Sequence, residues 1–333
     1  MKITALAALS PGAPLAPHTY RRSLGPEEVA IQVKYRSLYA GDAFFVDNFW
    51  GDSRYPVIPG TEFFGIVFAV GGKVTTVKVG DYVGVGYQVY ACQKCGWCKS
   101  GLPQYCQKQK TICIHEPGAL ADVAIVDNNF VFLLPPKLQK TEFVSLMCAG
   151  LTVYSAIKKA NLVPGSRVGV VGIGNLGHLA IQILAKQGCA VTAFSHTPEK
   201  EAKIRKLGAT SIVNSLDSRA LSLRIRTLDY ILVTTYADLN WTKYLEILKP
   251  NGKITFVGLP QKKITFPAIA LADFSGRTIS GGYLGSPTEM RELLDFAIKH
   301  NVHAWVEKYP LQEANLVLDK IRHNKLVFSA VLE

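Results

Sequence analysis

The segment Arg167-Val-Gly-Val-Val171 runs directly into Gly172-Ile173-Gly174-Asn175-Leu176-Gly177, and that hexapeptide opens the helical run "HLAIQILAKQG". A G-x-G-x-x-G pattern alone is a weak signal. Set between a buried strand and a helix, it leaves few folds open, because each glycine then has a separate task. Gly172 permits a tight turn, Gly174 lets the backbone approach a pyrophosphate, and Gly177 lets the helix pack close to the strand, while the helix N-terminus attracts negative charge. The expectation is a dinucleotide site on Gly172, Ile173, Gly174, Asn175, Leu176 and Gly177.

The surrounding texture agrees. From about residue 150, helical spacing ("AGLTVYSAIKKANL", "TPEKEAKIRKLGA") alternates with buried strands ("AVTAFS", "SIV", "LDYILVTT"), and "WTKYLEILKPNGKITFVG" reads as helix, turn, strand. Such alternation implies a parallel sheet covered on both faces. The first part is different: "EVAIQVKYRSL", "EFFGIVFAVGGKVTTVKVGDYVGVGY" and "GALADVAIVDNNFVFLLPP" are short strands punctuated by Gly and Pro, expected to form a twisted barrel or paired sheets. Beyond about residue 287, "TEMRELLDFAIKH" and "LQEANLVLDKIRHN" are amphipathic helices and "FSAVLE" is a closing strand.

The tip of the second strand of the alternating region reads Phe194-Ser195-His196-Thr197-Pro198-Glu199-Lys200. A site preferring NAD places a carboxylate there for the ribose hydroxyls. Here Ser195 and Thr197 offer hydrogen bonds and Lys200 offers charge, which predicts NADP(H). Glu199 lies past the tip and is expected to begin the next helix, where an acid suits the helix dipole.

Four of the seven cysteines fall in Cys92-x2-Cys95-x2-Cys98-x7-Cys106. An odd total with four clustered in one loop argues for thiolate–metal chemistry in a reducing, cytoplasmic compartment rather than a disulfide framework. Four thiolates fill a tetrahedral zinc shell unaided. Cys113, Cys148 and Cys189 are scattered and read as small buried hydrophobes.

The 333 residues allow two domains, and 48% hydrophobic content excludes a disordered chain. The net charge of +12 attracts an anionic cofactor, but "KQK" and "KIRK" are too short for a nucleic-acid footprint. The N-terminal "MKITALAALSPGAPLAP" has too short an apolar run for a signal peptide and reads as a strand and turn. No stretch approaches the roughly 20 apolar residues of a membrane span. The expected partner is a small-molecule substrate, not nucleic acid or membrane.

"PGTEFFGIVFAVGGKVTTVKVGDYVGVG", the cysteine cluster, "LMCAGLTVYSAI", "VVGIGNLGHLAIQILAKQG" and "GGYLGSPTEMRELLDFAIKHNV" together resemble the zinc-type medium-chain alcohol dehydrogenases. The similarity is strongest to the cinnamyl alcohol dehydrogenase-like branch with its NADP-dependent aldehyde reductases. The resemblance implies an α/β fold: a Rossmann-type doubly wound parallel sheet, residues 151–286, and a split, mostly β GroES-like catalytic domain, residues 1–150 and 287–333. It places a structural zinc on Cys92, Cys95, Cys98 and Cys106 in a lobe at about 90–107. It adds Thr152, Val257, Gly258, Gly282 and Tyr283 to the cofactor contacts, and suggests a homodimer near "RTISGGYLGS".

The resemblance breaks at the family's catalytic zinc. Its ligands come from Cys-His-Ser/Thr-Asp, Gly-His-Glu and Cys-Ala-Gly motifs. This chain has Tyr39-Ala40-Gly41-Asp42, Gly60-Thr61-Glu62 and Cys148-Ala149-Gly150. Two ligands and the proton-relay hydroxyl are gone, and Glu62 with Cys148 supplies two donors where three are needed. Tyr39, Thr61 and Glu62 become the candidate catalytic residues: Tyr39 as first donor, Thr61 as second, Glu62 as an acid if buried and protonated. Asp42 is expected to organise backbone, and Phe44, Phe45, Trp50 and Phe63 to line an apolar pocket. Three functions remain open: an NADPH-dependent reductase of an activated C=C or C=N bond without catalytic zinc, a zinc-dependent alcohol dehydrogenase or aldehyde reductase, and a non-catalytic NADPH-binding protein.

Overall fold

The computed structural model describes residues 1–272 and 275–333. The chain divides into two compact units, Met1–Cys148 with Ser286–Glu333, and Ala149–Gly285. The first changeover comes slightly before the expected 150/151 because the helix Ala149–Ala160 begins at once after Cys148.

In the Ala149–Gly285 unit, six described strands form one parallel sheet in the spatial order Ser211–Val213, Ala190–Phe194, Arg167–Val171, Leu228–Val233, Leu248–Phe256, Thr278–Gly281. Counted along this unit the order is 3-2-1-4-5-6, the doubly wound arrangement whose reversal lies beside the first strand. That strand is buried at every position after Arg167, as a strand covered on both faces must be. The helix Asn175–Lys186 that follows is largely buried too. One expectation shifts: Glu199 lies in a 3-10 turn, Pro198–Lys200, and the α-helix proper starts at Glu201.

The other unit is mostly β. Its organising element is the long strand Glu28–Leu38, which pairs along one edge with Glu62–Val70 and along the other with Val123–Asp127 and then Ser329–Leu332. The C-terminal strand therefore completes a sheet begun 300 residues earlier in the chain, which is why this unit is split. The first strand, Lys2–Ala7, alternates exposed and buried positions as its sequence implies. A helix not expected from sequence, Ala40–Asp47, caps the end of Glu28–Leu38. No helix among the described residues is long and apolar enough to cross a membrane.

Candidate active site and cysteine lobe

The cysteine lobe springs from a two-strand neck, Gln88–Tyr90 against Lys110–Thr111. It holds one helical turn, Gly96–Lys99, and a 3-10 turn, Pro103–Tyr105. The Sγ atoms of Cys92, Cys95, Cys98 and Cys106 all lie within 4.8 Å of one another. A tetrahedral site with Zn–S bonds of about 2.3 Å has sulfur–sulfur edges of about 3.8 Å. The Cys95–Cys98 and Cys92–Cys98 separations of 3.5 and 4.0 Å bracket that value. Backbone N–H groups already point at sulfur, from Cys95 to Cys92 at 3.3 Å and from Cys92 to Cys106 at 3.5 Å. The N–H groups of Lys94 and Cys95 draw the Cys92 thiol down to about 6, toward the thiolate a metal requires. The donor set fits zinc.

The second set of positions is built otherwise. Tyr39 lies between the strand Glu28–Leu38 and the helix Ala40–Asp47, Thr61 precedes Glu62 at the start of the strand Glu62–Val70, and Cys148 ends the first segment of its unit. Thr61 Oγ1 donates to the Tyr39 hydroxyl oxygen at 3.1 Å, and that hydroxyl lies 3.2 Å from Cys148 Sγ. The three side chains at the former ligand positions thus bond to one another. Burial comes first, and then the neighbouring Cys148, Asp42 and Glu62, in holding the Tyr39 hydroxyl well above its ordinary value of 10.0. It stays a protonated donor across neutral pH. Burial likewise pushes the Cys148 thiol far up, so it remains a thiol. A phenol and a threonine hydroxyl stand at two of the three ligand positions, and the Cys148 and Glu62 that remain offer two donors where a catalytic zinc needs three.

The carboxylates beside them serve the backbone. Asp42 Oδ1 accepts from the Gly60 and Thr61 N–H groups at 2.8 and 3.1 Å, and Oδ2 from the Tyr39 N–H at 3.1 Å. One buried side chain therefore fixes the chain at both Tyr39 and Thr61. Glu62, also fully buried, accepts the Cys148 N–H at 2.9 Å. Its Oε2 therefore holds the backbone of Cys148 in place.

Gly41 reveals that two of the changes are one. A Cβ added there would stand 2.8 Å from Cε2 of Tyr39 and 3.4 Å from its hydroxyl. The tyrosine ring fills the room that the family's relay Ser or Thr would need.

The aromatic lining is only partly where it was expected. Phe44 stacks on Phe49 at 4.3 Å, and Trp50 stands edge-on to Phe44 and Phe45 at 5.2 and 5.1 Å. Trp50 is exposed, but Phe63 is 1% exposed and belongs to the core. Phe63 alternates with the site-facing Glu62 on the same strand, so its side chain takes the opposite face.

In the other unit, the glycine turn has the division of labour its spacing implies. Gly172 has φ +90, and a Cβ there would lie 2.6 Å from Thr235 Cβ; a Cβ on Gly177 would lie 2.1 Å from the Gly172 carbonyl oxygen. A Cβ on Gly174 would meet nothing within 4 Å, leaving an open face at the helix N-terminus. A pyrophosphate fits that face. Ser195 follows immediately on the strand Ala190–Phe194, and its Oγ accepts the Thr197 N–H at 3.3 Å. Val257 and Gly258 both donate to the Val233 carbonyl at 2.9 Å, and Gly282 donates to Phe256 at 2.7 Å. Ser195, Thr197, Lys200 and Thr152 are half-buried, and Tyr283 is exposed. Thr234 and Thr235 were missed. Thr234 Oγ1 donates to the carbonyls of Val171 and Gly172, at 3.1 and 2.5 Å, tying the glycine turn to the neighbouring strand. Two hydroxyl residues ending the apolar run "YILV" were the available signal.

Comparison with known proteins gives the lineage. A family profile described as zinc-binding dehydrogenase matches residues 175–299, and one described as alcohol dehydrogenase GroES-like domain matches residues 25–136. An aldehyde reductase from Synechocystis is 34% identical over 331 residues, covering 99% of this chain and 98% of that protein. A cinnamyl alcohol dehydrogenase structure from Sorghum bicolor superposes with a TM-score of 0.95 at 32% identity, covering 100% of this chain and 97% of the other. A Helicobacter pylori cinnamyl alcohol dehydrogenase complexed with NADP(H) superposes with a TM-score of 0.93 at 27% identity, covering 100% and 98%.

Proposed function

Since this chain belongs to the zinc-type alcohol dehydrogenases of the medium-chain superfamily, and is an oxidoreductase by that membership, we propose that it is an NADPH-dependent reductase of a small conjugated acceptor, an activated C=C or C=N bond, acting without catalytic zinc. The observation that carries this reading is the bonded line Thr61–Tyr39–Cys148, with contacts of 3.1 and 3.2 Å, in which two of the three ligand positions carry hydroxyl groups. Zinc assists carbonyl reduction by several kcal/mol of charge stabilisation. A site with ordinary hydrogen-bond donors suits a substrate that spreads its developing charge.

Bound NADPH supplies a hydride. When hydride reaches the β-carbon of a conjugated carbonyl, the C=C electron pair moves toward the carbonyl oxygen, and an enolate results. Tyr39 donates its hydroxyl hydrogen bond to that oxygen; one well-aimed donor is worth roughly 100- to 1,000-fold in rate. Because Tyr39 is held well above its ordinary pKa, it acts as a donor, and water supplies the proton that completes the product at the α-carbon. Asp42 and Glu62 hold the backbone of Tyr39, Thr61 and Cys148 in place.

NADPH is preferred to NADH on the strength of Ser195, Thr197 and Lys200 at a strand tip without a carboxylate; the Helicobacter relative carries NADP(H). One structural zinc sits on Cys92, Cys95, Cys98 and Cys106. A homodimer and a cytoplasmic location are the family expectation; seven cysteines with no disulfide among them suit a reducing compartment.

The test is NADPH oxidation against matched enones and simple aldehydes, with and without a chelator. Chelator-resistant reduction of the enone is expected. Chelator-sensitive activity that favours simple aldehydes would establish the zinc-dependent aldehyde reductase instead, the reading that the Synechocystis relative's name favours. NADPH binding without turnover of any acceptor would leave a non-catalytic binding protein.

A further inference from the structure

The line from Thr61 to Cys148 has a direction. Thr61 Oγ1 is placed to donate to the Tyr39 oxygen at 3.1 Å, and its side chain also bonds the Asp42 carboxyl, while the Tyr39 hydroxyl carries its own proton to give. Cys148 Sγ, 3.2 Å away, is the partner in place to take it. The sulfur also receives the backbone N–H of Tyr87, which marks it as an acceptor here. Cys148 is buried at 5% exposure, so water does not compete for that position.

We propose that Cys148 is the resting acceptor of the Tyr39 proton, and that Thr61 is a positioning residue that keeps this proton directed away from itself and toward sulfur or substrate. The inference rests on the reading of Tyr39 as the oxyanion donor. A thiol sulfur is a weak acceptor. It therefore satisfies the hydroxyl in the empty site, where an unpaired buried donor is costly, yet yields it readily to a substrate oxygen. The exchange needs only rotation of the hydroxyl about its C–O bond, with all heavy atoms in place. The former zinc ligand has become a parking place for a proton, and the former histidine position has become its guide.

Kinetics of single and double variants, with an infrared readout, test this. In the wild-type background, Thr61→Val is expected to lower kcat with a conjugated enone roughly 3- to 10-fold, the range of one neutral hydrogen bond, and Thr61→Ser to restore it. Cys148→Ser, which offers oxygen in place of sulfur, is expected to lower kcat/KM for the enone by a like factor and leave NADPH affinity unchanged. In a Tyr39→Phe background both substitutions fall silent. The S–H stretching band isolated by subtracting the Cys148→Ala spectrum is expected to shift in Tyr39→Phe, a signature that needs no turnover. If Tyr39→Phe leaves turnover unchanged, the donor reading itself falls. If Tyr39→Phe lowers turnover, yet Thr61→Val and Cys148→Ser lower it equally in both backgrounds, or the S–H band stays put, the donor reading stands and the present inference is overturned.

Discussion

The cysteine lobe and the Tyr39–Thr61–Cys148 line began as two kinds of metal position, and they are held together by opposite means. In the lobe, all four donors fall within one stretch, residues 92–106, and their sulfurs converge within 4.8 Å of one another. With zinc bound, metal and fold would be coupled there, and loss of a ligand would loosen the loop. At the second position the donors come from three distant segments, each anchored without metal: Asp42 binds the backbone of Tyr39, Gly60 and Thr61, and Glu62 binds that of Cys148. A metal there would be a reagent, not a strut. A site whose scaffold stands without its ion can exchange that ion for a hydrogen-bond network; a site that is its own scaffold cannot.

The largest expected effect breaks the first half of that comparison. Cys95→Ser should release the zinc and unfold the lobe, because structural zinc in small domains contributes on the order of 10 kcal/mol to local folding. Elemental analysis should fall from one zinc per chain to none, with new protease cleavage confined to residues 90–107 and the Ala149–Gly285 unit still cooperatively folded. Two tightly held zinc ions in the unmodified protein would refute the ligand count outright.

The second half is broken by restoring what was lost. Tyr39→Cys with Thr61→His and Gly41→Thr returns two ligands and the relay to a scaffold already anchored by Asp42 and Glu62. The triple variant should bind a second zinc and gain chelator-sensitive activity on simple aldehydes while losing enone reduction. A variant that folds with its melting temperature intact but still binds a single zinc would mean that the scaffold, and not only the ligands, has diverged.

Much of the fold was legible because its strands carry their environment in their composition: "VGVV" and "YILV" are buried throughout, and "KITALA" alternates. Elements with no such contrast were missed. Ala16–Arg21 contains Pro17 and His18 and has no buried position; Thr278–Gly281 is short and mostly exposed. The helix Ala40–Asp47 was hidden by Gly41 and two adjacent phenylalanines, residues of modest helix propensity. At the site, the departures from the metal motif could be read position by position, and Asp42 was rightly expected to organise backbone. The Thr61–Tyr39 and Tyr39–Cys148 contacts and the bond from the Cys148 N–H to Glu62 link segments far apart in sequence, and even the local contact between Gly41 and the Tyr39 ring depends on a rotamer that no sequence pattern encodes.

A smaller change tests whether that last contact is real. Gly41→Ser adds a Cβ 2.8 Å from the Tyr39 ring, so the ring must move out of line with Cys148. Enone turnover should fall by about the same factor as in Tyr39→Phe, with little change in NADPH affinity, since the cofactor turn lies in the other unit. Unchanged turnover would mean that Tyr39 has room to spare and that its substitution was independent of the lost relay.

The smallest effect is one of pH, and its sign separates catalysis from stability. Burial raises Asp42 from 3.8 to about 6, against the pull of the Gly60, Tyr39 and Thr61 N–H groups. A carboxyl whose folded value lies above its unfolded value holds its proton more tightly when folded. Its contribution favours the folded state fully below pH 3.8 and is lost as pH rises through about 6. Acid should therefore not melt the protein through Asp42. Turnover should behave oppositely. Oδ1 accepts the Gly60 and Thr61 N–H groups and Oδ2 that of Tyr39, with the Thr61 side chain also bonded to the carboxyl; protonation on Oδ2 would release the Tyr39 end. Enone turnover should drop through an acid limb near pH 6 while the melting temperature shows no loss there. Asp42→Asn keeps one acceptor oxygen and places an N–H donor opposite the Tyr39 N–H, a permanent copy of the protonated form. It should be slow at every pH and lack the limb; an acid limb that persists near pH 6 in Asp42→Asn would assign that titration to another group.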